Sequence, residues 1–209
     1  MPPTQARQES FTRSARKAQI VAAAIDVIAE VGFAHASIRK IADRVGIAMS
    51  AVLYHFGTKD NLVDAIVEHM YRTMLAQVAP AVQTETTAIG KLNAYIRSSI
   101  NYFGTHRVAL KALASLGTIY VPSGGRRFEE LGLNPDIAEQ LAVLDPTPIL
   151  VAGQRDGEFG DFPVQSTAVA LRGAVNGVVE KVLREPGYEA GGYAEDLIEI
   201  FGRIIGRPS

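Results

Sequence analysis

Ser37-Ile-Arg-Lys-Ile-Ala-Asp-Arg-Val-Gly46-Ile-Ala-Met-Ser-Ala-Val-Leu-Tyr-His-Phe56 is the stretch that decides the fold. It reads as two short helices joined by a tight turn. Helices that cross at about 90–120° need a small residue at the crossing, and Ala42 supplies it. The turn needs a residue that accepts positive φ, and Gly46 stands there. The second helix needs an inward apolar anchor, and Val52 provides it. Ile38, Ile41, Val45, Ile47 and Phe56 complete a compact core. Ser37 is placed to N-cap the first helix, which ends near Val45; the second runs from about Met49 to Phe56.

Working outward, residues 1–12 are polar and contain Pro2 and Pro3, so a disordered arm is expected there. A first helix is expected from Arg13 to Val31, with Val21, Ala24, Ile25 and Ile28 as its apolar stripe and Gly32 as its left-handed cap. Residues 13–58 then form one helix-turn-helix unit. Downstream, Thr58 can cap a long helix from Lys59 to about Val78, which Pro80 should end. Helical periodicity continues over Thr87–Phe103, His106–Tyr120, Arg126–Leu131, Asp136–Arg155 (broken at Pro146 and Pro148), Val164–Arg184 and Gly192–Ile205. Pro122-Ser123-Gly124-Gly125 and Gly157–Pro163 read as loops. The fold class is all-α: a three-helix N-terminal unit followed by a larger helical domain over residues 59–209.

The composition narrows the chemistry. There is no cysteine, which excludes disulfides and thiolate metal sites. His35, His55, His69 and His106 have no partner histidine one helical turn away, so no metal site is expected. Gly153-Gln-Arg-Asp-Gly157 lacks the lysine of a phosphate loop. No nucleophile or acid–base set emerges, so neither a cofactor nor catalysis is expected. No apolar run approaches the roughly 18 residues of a membrane span, and the N-terminus lacks the core of a signal peptide. A cytoplasmic location with no membrane partner fits. The net charge of −1 hides an asymmetry: eight basic residues face five acidic ones up to Asp60, an excess of +3. That distribution suits a nucleic-acid-reading module on an acidic body.

A helix of this kind lies in the major groove of double-stranded DNA with its N-terminal residues against base edges. Met49, Ser50, Ala51, Tyr54 and His55 face outward on it. Met49 or Ala51 suits a thymine methyl, and Ser50 a base or a phosphate. Arg39 either reads guanine or is a solvated helix residue. Ser37, Tyr54, His55 and Lys59 suit phosphate contacts, although Tyr54 and His55 are equally placed to pack on a neighbouring helix.

The run from Lys17 to Leu62, with Ile41-Ala42, Val45-Gly46-Ile47, Tyr54-His55-Phe56, Lys59 and Leu62, resembles the tetracycline-repressor (TetR) family. Ala152-Gly-Gln-Arg-Asp-Gly-Glu-Phe159 resembles a frequent element of that family's C-terminal domain. The resemblance implies a homodimeric repressor of palindromic operator DNA that a small-molecule effector releases. Two positions depart from the pattern. Ala48 stands where Ser or Thr often caps the recognition helix, and Leu53 where a phosphate-binding tyrosine is frequent. The rival readings are an architectural DNA-binding protein without an effector and a helical enzyme on the same scaffold.

For the larger domain, Ala170, Gly173, Ala174 and Gly177 give one helix a small-residue face, and Leu197, Phe201, Ile204 and Ile205 give the last helix an apolar stripe. These faces either build a homodimer interface or pack inside the monomer. An apolar or aromatic effector would lie between the middle helices, with Met70, Met74, Tyr95, Ser98, Asn101, Tyr102, Thr118, Tyr120 and Asn176 as candidate contacts.

Overall fold

A computed structural model describes residues 5–122, 124, 126–127, 130–132 and 135–206, with side chains from residue 11 onward. Among the described residues the chain forms ten α-helices and no strand: α1 (Gln5–Val31), α2 (Ile38–Val45), α3 (Met49–Phe56), α4 (Lys59–Gln83), α5 (Ala88–Thr105), α6 (Arg107–Ile119), α7 (Pro135–Gln140), α8 (Thr147–Arg155), α9 (Val164–Arg184) and α10 (Gly191–Ile205). None of them is long and apolar enough to cross a membrane. The chain divides into two compact units, residues 1–70 with 111–133, and residues 71–110 with 134–209. The first unit therefore reaches past the expected boundary at residue 58. It takes in the start of α4 and a segment from the middle of the chain.

In the first unit Ile20, Val21, Ala24, Ile25 and Ile28 bury the inner face of α1, and Ile41, Ala42, Val52 and Phe56 close the core beneath α2 and α3. Two corrections concern helix ends. Residues 5–12 are helical, where an arm was expected. Gln5, Ala6, Arg7, Gln8 and Glu9 are all good helix formers, and polarity alone does not oppose a helix joined to a packed one. Residues 1–4 lie outside the described residues. The other end is that of α4, which runs through Pro80 to Gln83. Proline removes one N–H here, but Val78 and Val82 are buried in the core on either side and hold the last turn.

Most of α6 and the segment after it belong to the first unit through specific ties. The Phe33 N–H donates to Ser115 Oγ at 2.9 Å. The Tyr120 ring meets Phe33 edge-on at 5.3 Å, and its hydroxyl donates to Asp60 at 2.7 Å. Arg126 forks onto Asp64 at 3.0 and 2.9 Å. Ser123 and Gly125 of the expected loop, and Phe128 and Glu129 of the expected short helix, lie outside the described residues.

In the second unit α5 packs against α8, α9 and α10. The Ala152–Phe159 element is a structural corner. The Phe159 ring covers Gly153 so closely that a Cβ on that glycine would sit 2.1 Å from a ring carbon. The Phe159 N–H returns to the Gly153 carbonyl at 3.0 Å. Gln154 fastens the loop by donating to the Gly160 and Phe162 carbonyls. The Glu158 carboxylate accepts from the Ala88 and Ile89 N–H groups at 3.0 and 3.2 Å, capping α5 with a negative charge where its dipole favours one. Leu197, Phe201 and Ile205 point into this core and are not available to a second subunit as the sequence reading allowed.

Gly153→Ala should lower the stability by about 1–3 kcal/mol through overpacking against Phe159. Urea unfolding followed by circular dichroism measures it.

Candidate nucleic-acid interface

The turn between α2 and α3 has the geometry its sequence demands. Ser37 is extended (φ −113°, ψ 156°) and its Oγ accepts from the Lys40 N–H at 3.2 Å. Gly46 is left-handed at φ 75° and ψ 36°, and the Ile47 N–H closes on the Ala42 carbonyl at 3.0 Å. Val52 and Phe56 are buried, so the opposite face of α3 is turned outward. Met49, Leu53 and Tyr54 are 45%, 42% and 71% exposed, and Ser50 is exposed beside them. Ala51 is half-buried. Arg39 is exposed on α2. Ala48 makes no side-chain cap, which leaves the first N–H groups of α3 without a side-chain acceptor.

Residues 20–66 match the family model described as bacterial regulatory proteins, tetR family. The N-terminal domain is a TetR-family helix-turn-helix. Over 69 residues the chain is 44% identical to the HTH-type transcriptional repressor Rv3405c of Mycobacterium tuberculosis H37Rv, which covers 33% of this chain. The chain spans only 37% of that relative's length. Over nearly its whole length the fold is that of solved regulators. A tetR-family regulatory protein from Rhodococcus RHA1 aligns at TM-score 0.69 and 23% identity, over 92% of this chain and 98% of that one. The transcriptional regulator FadR from Bacillus subtilis, crystallised with stearoyl-CoA, aligns at TM-score 0.70 and 20% identity, over 88% and 96%.

Two expected contacts of the TetR-type domain, Lys59 and His55, also touch neighbouring side chains. Lys59 is exposed, and its ammonium lies 4.1 Å from the Phe33 ring centre and donates to the Ala36 carbonyl at 3.3 Å. It pins the start of α4 to the turn after α1 and keeps two further N–H donors. His55 is half-buried, edge-on to Tyr54 at 5.4 Å, with its Nδ1 buried and without a hydrogen-bond partner. Burial holds its pKa below the ordinary 6.5, and the positive charges of Arg13, Lys17 and Arg16 lower it further. Those three α1 residues were missed by sequence reasoning, which read α1 only for its apolar stripe.

The effector candidates fall in both units. Met70, Thr118 and Tyr120 belong to the first unit, and Tyr120 is occupied by Asp60. Asn101, Thr118 and Asn176 are exposed, and the Ser98 hydroxyl is spent on the Ala94 carbonyl at 2.6 Å. Tyr95 and Tyr102 are buried on one face of α5, where burial pushes each phenol up to about 12. Beside them lies Ser99, fully buried with its Oγ unpartnered, which the sequence reading passed over. Met74 is half-buried against the same core. A separate open cleft of about 550 Å³ between α4 and the α7 segment is lined by Arg72, Leu75, Ala79, Glu139 and Val143, none of them a sequence candidate.

Acid should weaken the fold through His55. The unfolded chain takes up a proton near 6.5, while the folded one resists it until lower pH, so stability falls as pH drops through that window and is level above it. Between about pH 7 and about pH 5.5 the thermal midpoint of the native protein should fall more than that of His55→Gln.

Proposed function

We propose that the chain is a transcriptional regulator that binds palindromic operator DNA as a homodimer and represses until a small, largely apolar effector releases it. The observation that carries this reading is the outward face of α3. Met49, Ser50, Leu53 and Tyr54 are presented by a helix whose other face is locked by Val52 and Phe56. Met49 and Leu53, one turn apart, offer apolar contact to thymine methyls, and Ser50 with Ala51 permits close approach. Arg39 reads a guanine edge from α2. Ser37 keeps its hydroxyl proton for a phosphate while its oxygen caps the helix. A phosphate oxygen also suits the N–H groups that Ala48 leaves uncapped.

Dimerisation is supported by what α9 and α10 leave outside. Ala170, Gly173 and Gly177 are exposed and Ala174 is half-buried, so close backbone approach is possible. Val169, Ile200 and Ile204 are 60%, 50% and 49% exposed beside them. An effector is supported by the aromatic and hydroxyl face of α5 in the second unit, and by fold neighbours: the FadR crystallised with stearoyl-CoA, and the ketosteroid transcriptional regulator KstR2 of Mycobacterium tuberculosis. Effector binding would act on operator affinity through α4, which contributes to both units.

A competition gel shift tests the reading. DNA upstream of the protein's own gene should compete far better than random duplex, and equal competition would favour an architectural binder. Arg39→Ala should cost about 1–3 kcal/mol and relax the preference at one base pair. Val169→Glu combined with Ile204→Glu should give a folded monomer by sedimentation.

A further inference from the structure

We infer that Arg13, Arg16 and Lys17 on α1 form a second phosphate-binding site flanking the recognition helix, which supplies a DNA-backbone contact that Leu53 cannot. The proposal rests on the DNA-binding reading and extends it to a helix outside the helix-turn-helix.

The three cations lie at i, i+3 and i+4, so they share one face of α1. Like charges at this spacing repel, at a cost of a few tenths of a kcal/mol in an isolated helix. Among the described residues no carboxylate is paired with any of them, and Arg16 reaches only Gln19, at 3.0 Å. By contrast Arg44 forks onto Glu30 and Arg126 onto Asp64 in the same unit.

Aromatic rings aim the group at α3. The Arg13 guanidinium lies 5.5 Å from the Tyr54 ring centre and the Lys17 ammonium 5.8 Å from that of Phe56, within cation–π range. This places positive charge beside Tyr54, whose exposed hydroxyl can donate to the same phosphates. Independent of the ring contacts, His55 senses all three charges. Their field therefore converges on the recognition helix.

Leu53, which stands where the resemblance places a phosphate-binding tyrosine, cannot donate a hydrogen bond. The domain thus has a recognition helix with few cations of its own and a cationic strip alongside it. Phosphate is the anion that a helix lying in the groove brings to its flank.

Salt dependence tests the proposal. Binding of a fluorescent duplex carrying the DNA upstream of the gene is followed by anisotropy across a series of KCl concentrations. Each phosphate contact contributes about 0.9 to the slope of log affinity on log salt. Arg13→Ala with Lys17→Ala should flatten the slope by about 1.8, so that between about 50 and 200 mM salt the native affinity falls about 12-fold more than the variant's. The preference over random duplex should persist. Arg13→Lys with Lys17→Arg should restore the slope, and Arg16→Gln, which removes no ring contact, should flatten it by about 0.9 if the first variant fails to fold. An unchanged slope in the folded variants would overturn the proposal alone. Lost preference at an unchanged slope would also overturn it, reassigning these residues to the placement of α3. A native protein that binds no duplex would overturn the DNA-binding reading itself.

Discussion

Gly46 carries the chain through φ 75° and ψ 36°, and only in that conformation do its own N–H and that of Ile47 return to the last carbonyls of α2. A side chain at this position would cost about 1–2 kcal/mol, and relief of that strain would open the angle between α2 and α3. The crossing fixes which residues of α3 are inward. Val52 and Phe56 can be buried only while the turn holds, and their burial leaves Met49, Ser50, Leu53 and Tyr54 facing outward. The binding surface is therefore a consequence of one backbone torsion and the small residue, Ala42, that lets the helices approach.

Around that turn the first unit is stiffened by contacts from distant parts of the chain. Ser115 and Tyr120, more than eighty residues from Phe33, hold the turn after α1 by a hydrogen bond and a ring contact. Lys59 adds a cation over the Phe33 ring.

The helix-turn-helix was legible because its constraints are local. Ser37, Gly46 and Thr58 each act within four residues, and the caps stand where the spacing puts them. What lay beyond reach was set by distant partners. Pro80 reads as a terminator until Val82 is known to be buried. The apolar arc of α10 is wider than one neighbour covers, so periodicity marks it without saying that Leu197, Phe201 and Ile205 turn inward while Ile200 and Ile204 turn out. Polar residues at helical spacing, such as Asn101 and Asn176, look alike whether they line a cavity or face water. Ser99 escaped notice because a serine among apolar neighbours gives no signal until its burial is seen.

Selection of duplexes from a random pool by the native protein, read by sequencing, tests the central claim most directly. The outward face of α3 on a two-fold dimer predicts enrichment of a palindrome whose half-sites lie about one helical turn apart, or a multiple of it. Recovery of sequences no different from the starting pool would contradict the assignment of this face as a reader of DNA.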